Sequence, residues 1–130
     1  MKWYTLKNKE AVVASSPEEA AELLKDAEAR TVARTEFDDG YISTVFLCVD
    51  HNFVYDGTTT PLLFETMIFG DVLDQYCERY STWEEAELGH FKAIKLRKKA
   101  KAVQEKDPTC EKDELLEAVT QNKGDVLYIY

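Results

Sequence analysis

The chain has 130 residues, of which 45% are hydrophobic, and a formal net charge of −9 at pH 7. This length predicts a single domain over residues 1–130, which would bury about two-thirds of the surface that the unfolded chain exposes. The longest apolar runs are five or six residues, far short of the roughly 20 that a membrane-spanning helix needs. The N-terminus lacks the apolar region of a signal peptide. Three cysteines without CxxC spacing argue against a disulfide framework or a zinc ribbon. We therefore expect a cytoplasmic protein that contacts no membrane and needs no cofactor.

The charge is unevenly distributed along the chain. Residues 92–106 carry seven basic side chains and one acidic side chain, so this stretch has a charge of +6 and the remainder −15. An acidic body disfavours nonspecific nucleic-acid binding. The basic stretch is typical of the solvated end of a helix, where cationic side chains complement the helix dipole. The alternative is that this stretch, including Lys95, Lys98 and Lys99, contacts a phosphate backbone or an acidic partner.

The first predicted elements are a short edge strand at residues 3–6 and a helix at 17–29. Ser16 as N-cap, Pro17 at the first helical position and Glu19 three residues after the cap form a capping box. Apolar residues then follow at helical spacing.

A hairpin of strands 31–37 and 41–49 is predicted next, because Asp39-Gly40 between two β-rich runs favours a type I′ turn. The second strand is apolar on both faces, which is typical of a central strand covered on both sides. Strands at 62–69 and 76–80 would complete an antiparallel meander.

Helices and a final strand follow the meander. Thr82 and Glu85 form a second capping box, which predicts a long helix to about residue 103. Helical spacing places Trp83, Ala86, His90, Ala93, Ile94 and Arg97 on the side that packs against the sheet. A third helix begins near Asp107-Pro108. The aromatic-rich residues 126–130 would add a strand to a sheet edge, either in this protein or in a partner. The predicted fold class is α+β, with a meander of about four strands and two to three helices packed against it.

Three blocks between residues 34 and 90 resemble a group of small uncharacterised proteins of tailed bacteriophages and prophages. The blocks are STVFLCVDHNF, PLLFETMIFG and ERYSTWEEAELGH, in this order. Those proteins often have glycine where this chain has Cys48, and a glycine-rich loop with paired prolines where this chain has VYDGTTTP. The resemblance implies a phage or prophage origin and gives no activity.

The reactive side chains concentrate where the strand 41–49 ends. Asp50 and His51 could bind a metal or act as a base and its orienting group. With His90 and Glu65 they would form a set of two histidines and carboxylates of the kind that holds a divalent metal. The structural alternatives are a loop-capping role for His51 and a core position for His90.

Glu65 lies among apolar residues of a predicted strand, so its carboxylate needs a partner. Arg34 or Arg79 on neighbouring strands could supply an ion pair, and we favour this structural role over a catalytic acid.

The sequence contains no strong catalytic motif, so a binding protein is the preferred interpretation. The predicted binding residues lie in the polar loop and on the basic helix: Asp50, His51, Asn52, Tyr55, Asp56, Lys95, Lys98 and Lys99. A host protein, including a component of antiviral defence, is the expected partner, and nucleic acid is not expected. Two alternatives are a metal-dependent hydrolase or nuclease that uses Asp50, His51, His90 and Glu65, and a protein that self-assembles through the C-terminal strand.

Overall fold

The computed structural model describes residues 2–50 and 60–120 of the chain. Within these ranges the chain forms six strands and four helices. The N-terminal part contains β1 (Tyr4–Lys7), β2 (Glu10–Val13), α1 (Pro17–Leu24) and α2 (Ala27–Arg30). The remainder contains β3 (Thr31–Phe37), β4 (Gly40–Phe46), β5 (Phe64–Gly70), β6 (Cys77–Tyr80), α3 (Trp83–Lys106) and α4 (Lys112–Thr120).

The main sheet has the strand order β3-β4-β5-β6, and every neighbouring pair is antiparallel. This arrangement confirms the predicted α+β meander. The hairpin β1-β2 forms a second, two-stranded sheet, of which the sequence analysis predicted only the first strand. A bridge between Trp3 and Val49 joins this hairpin to the chain just beyond β4.

The hydrophobic core lies between the main sheet and α3. Ile42, Phe46, Phe64 and Ile68 alternate along β4 and β5 and are fully buried, because successive strand residues point to opposite faces. The helix α3 contacts all four strands of the sheet. The face against which it packs is called the inward sheet face below.

Among the described residues, no helix packs on the opposite face of the sheet, which differs from the expectation that β4 is covered on both sides. In the described ranges, the residues of β4 and β5 that point away from α3 are half-buried or exposed, and neither core cluster includes them. We call this surface the outward sheet face; its apolar members are Tyr41, Val45, Met67 and Phe69. The apolar character of both sides of β4 is therefore real, but only one side is buried by a helix.

The type I′ turn lies at a different hairpin from the one predicted. Asn8 and Lys9 between β1 and β2 have φ values of 52° and 67°, as this turn requires of both central residues. Asp38 and Asp39 between β3 and β4 do not have positive φ, so the predicted hairpin is correct and its turn type is wrong. Gly40 is needed because an added Cβ would overlap the carbonyl oxygen of Phe69 on the neighbouring strand.

Several predicted boundaries shift by a few residues. The first helix ends at Leu24 instead of residue 29, because the side chain of Asp26 starts a separate short helix by accepting a hydrogen bond from the Ala29 amide at 3.0 Å. The strand predicted at 41–49 ends at Phe46. Cys48 then has a φ of 66°, a conformation that favours glycine.

Candidate functional site

The helix α3 carries the most prominent exposed surface of the described chain. Its first turn is fixed by the predicted capping box, in which Thr82 Oγ1 accepts a hydrogen bond from the Glu85 amide at 3.1 Å and donates one to the Glu85 carboxylate. The predicted buried face is confirmed, since Ala86, His90 and Ala93 are buried against the sheet. The residues half a turn away must therefore point outward.

Two large apolar side chains lie on this outward side. Leu88 and Phe91 are 58% and 57% exposed, and residues three apart are neighbours on a helix surface. Lys95, Lys98 and Lys99 continue the same side toward the C-terminal end of α3. We call these five residues the basic-apolar stripe.

The three lysines of the stripe differ from Lys92, Arg97 and Lys101 of the same helix, whereas Lys106 at its C-terminal end resembles them in having no ion pair in the described ranges. Lys92, Arg97 and Lys101 each pair with a carboxylate, at 3.5 Å, 2.7 Å and 3.3 Å respectively. Within the described ranges, Lys95, Lys98 and Lys99 have no carboxylate within ion-pair distance. The stripe therefore has positive charge that the described part of the protein leaves uncompensated, although the whole chain has a net charge of −9.

His90 occupies the core, as the structural interpretation of the sequence expected. Its Nδ1 lies 2.8 Å from Thr44 Oγ1 and its Nε2 lies 2.9 Å from Thr35 Oγ1. The Thr44 hydroxyl is in turn 2.6 Å from Thr66 Oγ1. A neutral imidazole can donate from one nitrogen and accept at the other, so the network satisfies both nitrogens and ties α3 to three strands.

Burial lowers the pKa of His90 below its usual value. Because the unfolded chain then binds a proton more readily than the folded one, the stability that neutral His90 contributes is present above about pH 6.5 and decreases as the pH falls below it. We expect the melting temperature to decrease between pH 7.5 and 5.5, and a His90→Gln variant to show a shallower decrease. Thermal melting followed by circular dichroism measures both slopes.

The second histidine of the chain supplies the control for this measurement. A His51→Gln variant removes the other histidine and leaves His90 and its threonine partners in place, so it should keep the slope of the native protein if His90 causes that slope. Equal slopes in the native protein and the His90→Gln variant would show that another group causes the pH dependence.

Asp50 lies at the end of the segment that follows β4. Its Oδ1 accepts a hydrogen bond from the Leu62 amide at 2.9 Å. The carboxylate thereby joins the two ends of the loop that precedes β5. This geometry gives Asp50 a positioning role for the chain on either side of the loop.

Glu65 pairs with Arg79, one of the two partners predicted for it. The distance from Glu65 Oε2 to Arg79 Nε is 2.9 Å, and the two residues are directly opposite each other on β5 and β6. Glu65 points to the outward sheet face, whereas Thr66, its neighbour, points to His90. Glu65 and His90 therefore lie on opposite sides of the sheet and do not meet at one site.

Other predicted site residues lie outside the described ranges: His51, Asn52, Tyr55, Asp56 and the C-terminal strand at 126–130. Within residues 2–50 and 60–120, no group of three histidine, cysteine, aspartate or glutamate side chains is arranged to hold a metal ion. In the same ranges, no helix combines the length and the apolar composition needed to cross a bilayer.

Sequence reasoning missed Leu88 and Phe91. The sequence nevertheless indicates that both side chains point outward, because helical spacing places them on the side opposite the predicted buried face. Leucine and phenylalanine in a helix are usually assigned to the core. Their exposure becomes informative only when the buried side of the same helix is already filled by other residues.

Comparisons with protein-family models, with curated proteins and with solved structures find no match to this chain.

Proposed function

We propose that this protein is a phage-type accessory protein that binds a macromolecular partner of its bacterial host through the basic-apolar stripe of α3. The observation that carries the proposal is the pairing of Leu88 and Phe91, both more than half exposed, with three lysines that have no counter-charge in the described ranges. Contiguous exposed apolar side chains bordered by polar ones are typical of interaction sites.

The chemistry of the stripe defines the partner. Leu88 and Phe91 fit an apolar pocket or helix face, and aromatic residues are frequent anchors of protein interfaces. One helical turn further, Lys95, Lys98 and Lys99 fit carboxylates. The partner surface is therefore a protein segment that combines apolar side chains with Asp and Glu.

Nucleic acid fits the stripe less well. Three lysines would neutralise only a few phosphates, and the charge of −15 on the rest of the chain would repel the remainder of the backbone. An acidic protein segment is short enough to meet the stripe without approaching that acidic surface.

The biological class of the partner rests on the resemblance between residues 34–90 and small phage proteins, which supports a phage origin. A phage-type protein that acts by binding fits an inhibitor of a host protein, such as a component of antiviral defence. The exposed stripe supplies the contact surface for such an inhibitor, and the acidic body would keep it from binding nucleic acid nonspecifically.

The test is affinity purification from the bacterial host, followed by measured binding of the recovered partner. We expect Phe91→Asp to weaken binding by about 10- to 100-fold, which is the usual effect of removing an interface anchor. A Lys98→Glu/Lys99→Glu variant should weaken binding and also reduce its dependence on salt, because it removes the electrostatic part of the attraction.

A matched control is available on β2. Val13 is 58% exposed and belongs to β2, outside the basic-apolar stripe, so Val13→Asp introduces the same charge and should leave affinity unchanged. Host cells that express the native protein should also show an altered defence phenotype, which Phe91→Asp abolishes. Absence of any co-purified host factor together with an unchanged phenotype would refute the proposal, and so would equal affinity of the Phe91→Asp and Val13→Asp variants.

A further inference from the structure

The outward sheet face is a second surface with features of an interface. It lies on the side of the sheet opposite α3, so it is separate from the basic-apolar stripe. Phe69 is 36% exposed and stacks on Tyr41 of the neighbouring strand, with ring centroids 4.7 Å apart. Met67 and Val45 lie on the same face and are half-buried. Aromatic residues and methionine are enriched in the centres of protein interfaces.

The charged residues of this face are already paired with one another. Arg34 Nη2 lies 3.1 Å from Glu36 Oε1, and the Arg34 guanidinium also stacks over the Tyr41 ring at 3.9 Å. Glu65 and Arg79 form the other pair. The charged residues that the structure describes on this face are two arginines and two glutamates, whose charges sum to zero. A partner that covers it would therefore meet satisfied ion pairs instead of isolated charges, whose burial is costly.

This balance of charges is compatible with a second copy of the chain as the occupant. Two molecules with a net charge of −9 each repel one another, and stripe-to-stripe contact would bring lysines against lysines. Contact through the outward sheet face presents arginine and glutamate equally from both copies, as a self-complementary twofold interface requires. Sheets that pack face to face about 10 Å apart are a common architecture.

From these contacts we infer that the protein forms a homodimer in which the outward sheet faces of two copies pack against each other. In this dimer the two α3 helices lie on the outer sides, because each helix covers the inward face of its own sheet. The basic-apolar stripes of both copies therefore remain accessible. The inference concerns a surface that the proposed binding function does not use, so each can fail without the other.

The test is the mass in solution of the full chain, measured by light scattering and by sedimentation across a wide concentration range. We expect twice the mass of one chain. Phe69→Arg should give the monomer, because each interface would then bury two unpaired cations. Phe91→Arg, the same substitution on the stripe, should leave the dimer intact.

A second variant covers the case in which Phe69→Arg fails to fold. Arg34 is half exposed, and Arg34→Glu changes the net charge of the face from zero to −2 per copy. We expect this variant to fold, as judged by circular dichroism, and to dissociate the dimer. The dissociation should be partly reversed by high salt, which screens the added repulsion.

Cys77 supplies an independent readout because it is exposed on β6 and lies on the outward sheet face. If the dimer forms, iodoacetamide should alkylate Cys77 more slowly at high protein concentration than at low concentration. In the Arg34→Glu variant the alkylation of Cys77 should be fast at all protein concentrations. A monomeric mass at all concentrations would overturn the inference and would mean that something other than a second copy covers this face. A dimer that Phe91→Arg dissociates and Phe69→Arg does not would also overturn it.

Discussion

Replacing Arg97 by methionine is expected to lower the free energy of unfolding by about 3 kcal/mol, within the range measured when one partner of a buried ion pair is removed. The side chain of Asp71 is only 6% exposed, and that of Arg97 15%. Arg97 Nη2 and Nε lie 2.7 Å and 2.9 Å from Asp71 Oδ2. Without the guanidinium, a nearly inaccessible carboxylate keeps only the amine of Lys101, at 3.4 Å.

The direction in which folding shifts the pKa of Asp71 supports this expectation. Burial alone would raise it, but the hydrogen bonds and charges of Arg97 and Lys101 outweigh burial and lower the pKa below its usual value. The ionised carboxylate is therefore stabilised in the folded state, and this stability decreases as the pH falls toward the pKa of Asp71. Arg97 also stacks over the Phe37 ring at 3.6 Å. A methionine at this position retains part of that packing, so the measured loss of stability comes mainly from the missing charge.

Chemical denaturation at neutral pH measures the effect. The double variant Arg97→Met/Asp71→Asn should recover much of the loss, because asparagine leaves no buried charge and tolerates the φ of 64° at this position. Lys92→Gln disrupts a more exposed pair, Lys92–Glu78, and should change stability by less than about 1 kcal/mol. Equal losses for the Arg97→Met and Lys92→Gln variants would contradict the structure.

Gly89→Ala should destabilise the protein by about 2–3 kcal/mol, although the same substitution inside an exposed helix stabilises by about 1 kcal/mol. Gly89 is buried in α3, directly over Tyr80 of β6. A Cβ at Gly89 would overlap the hydroxyl oxygen and ring carbons of Tyr80. The ring is packed against a core cluster, so it cannot move away without displacing its neighbours.

The origin of this loss can be tested with a double-mutant cycle. In a Tyr80→Leu background the overlap is removed, and Gly89→Ala should then be neutral or stabilising, as intrinsic helix propensity predicts. Thermal and denaturant unfolding of the four proteins gives the coupling energy between the two positions. A similar loss in both backgrounds would show that Tyr80 is not the obstacle.

The sequence predicts well those features that depend on local patterns. The meander β3 to β6 follows from alternation and a turn sequence, and Ser16 and Thr82 are N-caps as predicted. The return bond of each capping box differs, because Glu19 accepts from the Ser15 amide and Glu85 from the Thr82 hydroxyl. The Glu65–Arg79 pair was predicted as one of two options, because a carboxylate among apolar strand residues needs a cation. The core position of His90 also follows from its place on the apolar side of α3.

Features that depend on distant parts of the chain were missed. The side of β4 that lies away from α3 is as apolar as the buried side, so alternation cannot show which face a helix covers. The second hairpin was missed because Asn8-Lys9 is a weaker turn sequence than Asp39-Gly40, although Asn8 and Lys9 both adopt positive φ and Asp39 does not. Leu88 and Phe91 were missed because exposure is a property of the whole fold.

The order of strands in the sheet also bears on how the chain folds during synthesis. Each strand of the meander pairs with its neighbour in sequence, so the sheet can assemble from local hairpins, whose loops close at low entropic cost. The inward sheet face, with Phe46, Phe64 and Ile68, stays uncovered until α3 leaves the ribosome. A nascent chain that pauses before Trp83 would expose this apolar face to aggregation. Because α3 follows β6 after only two residues, that interval is short.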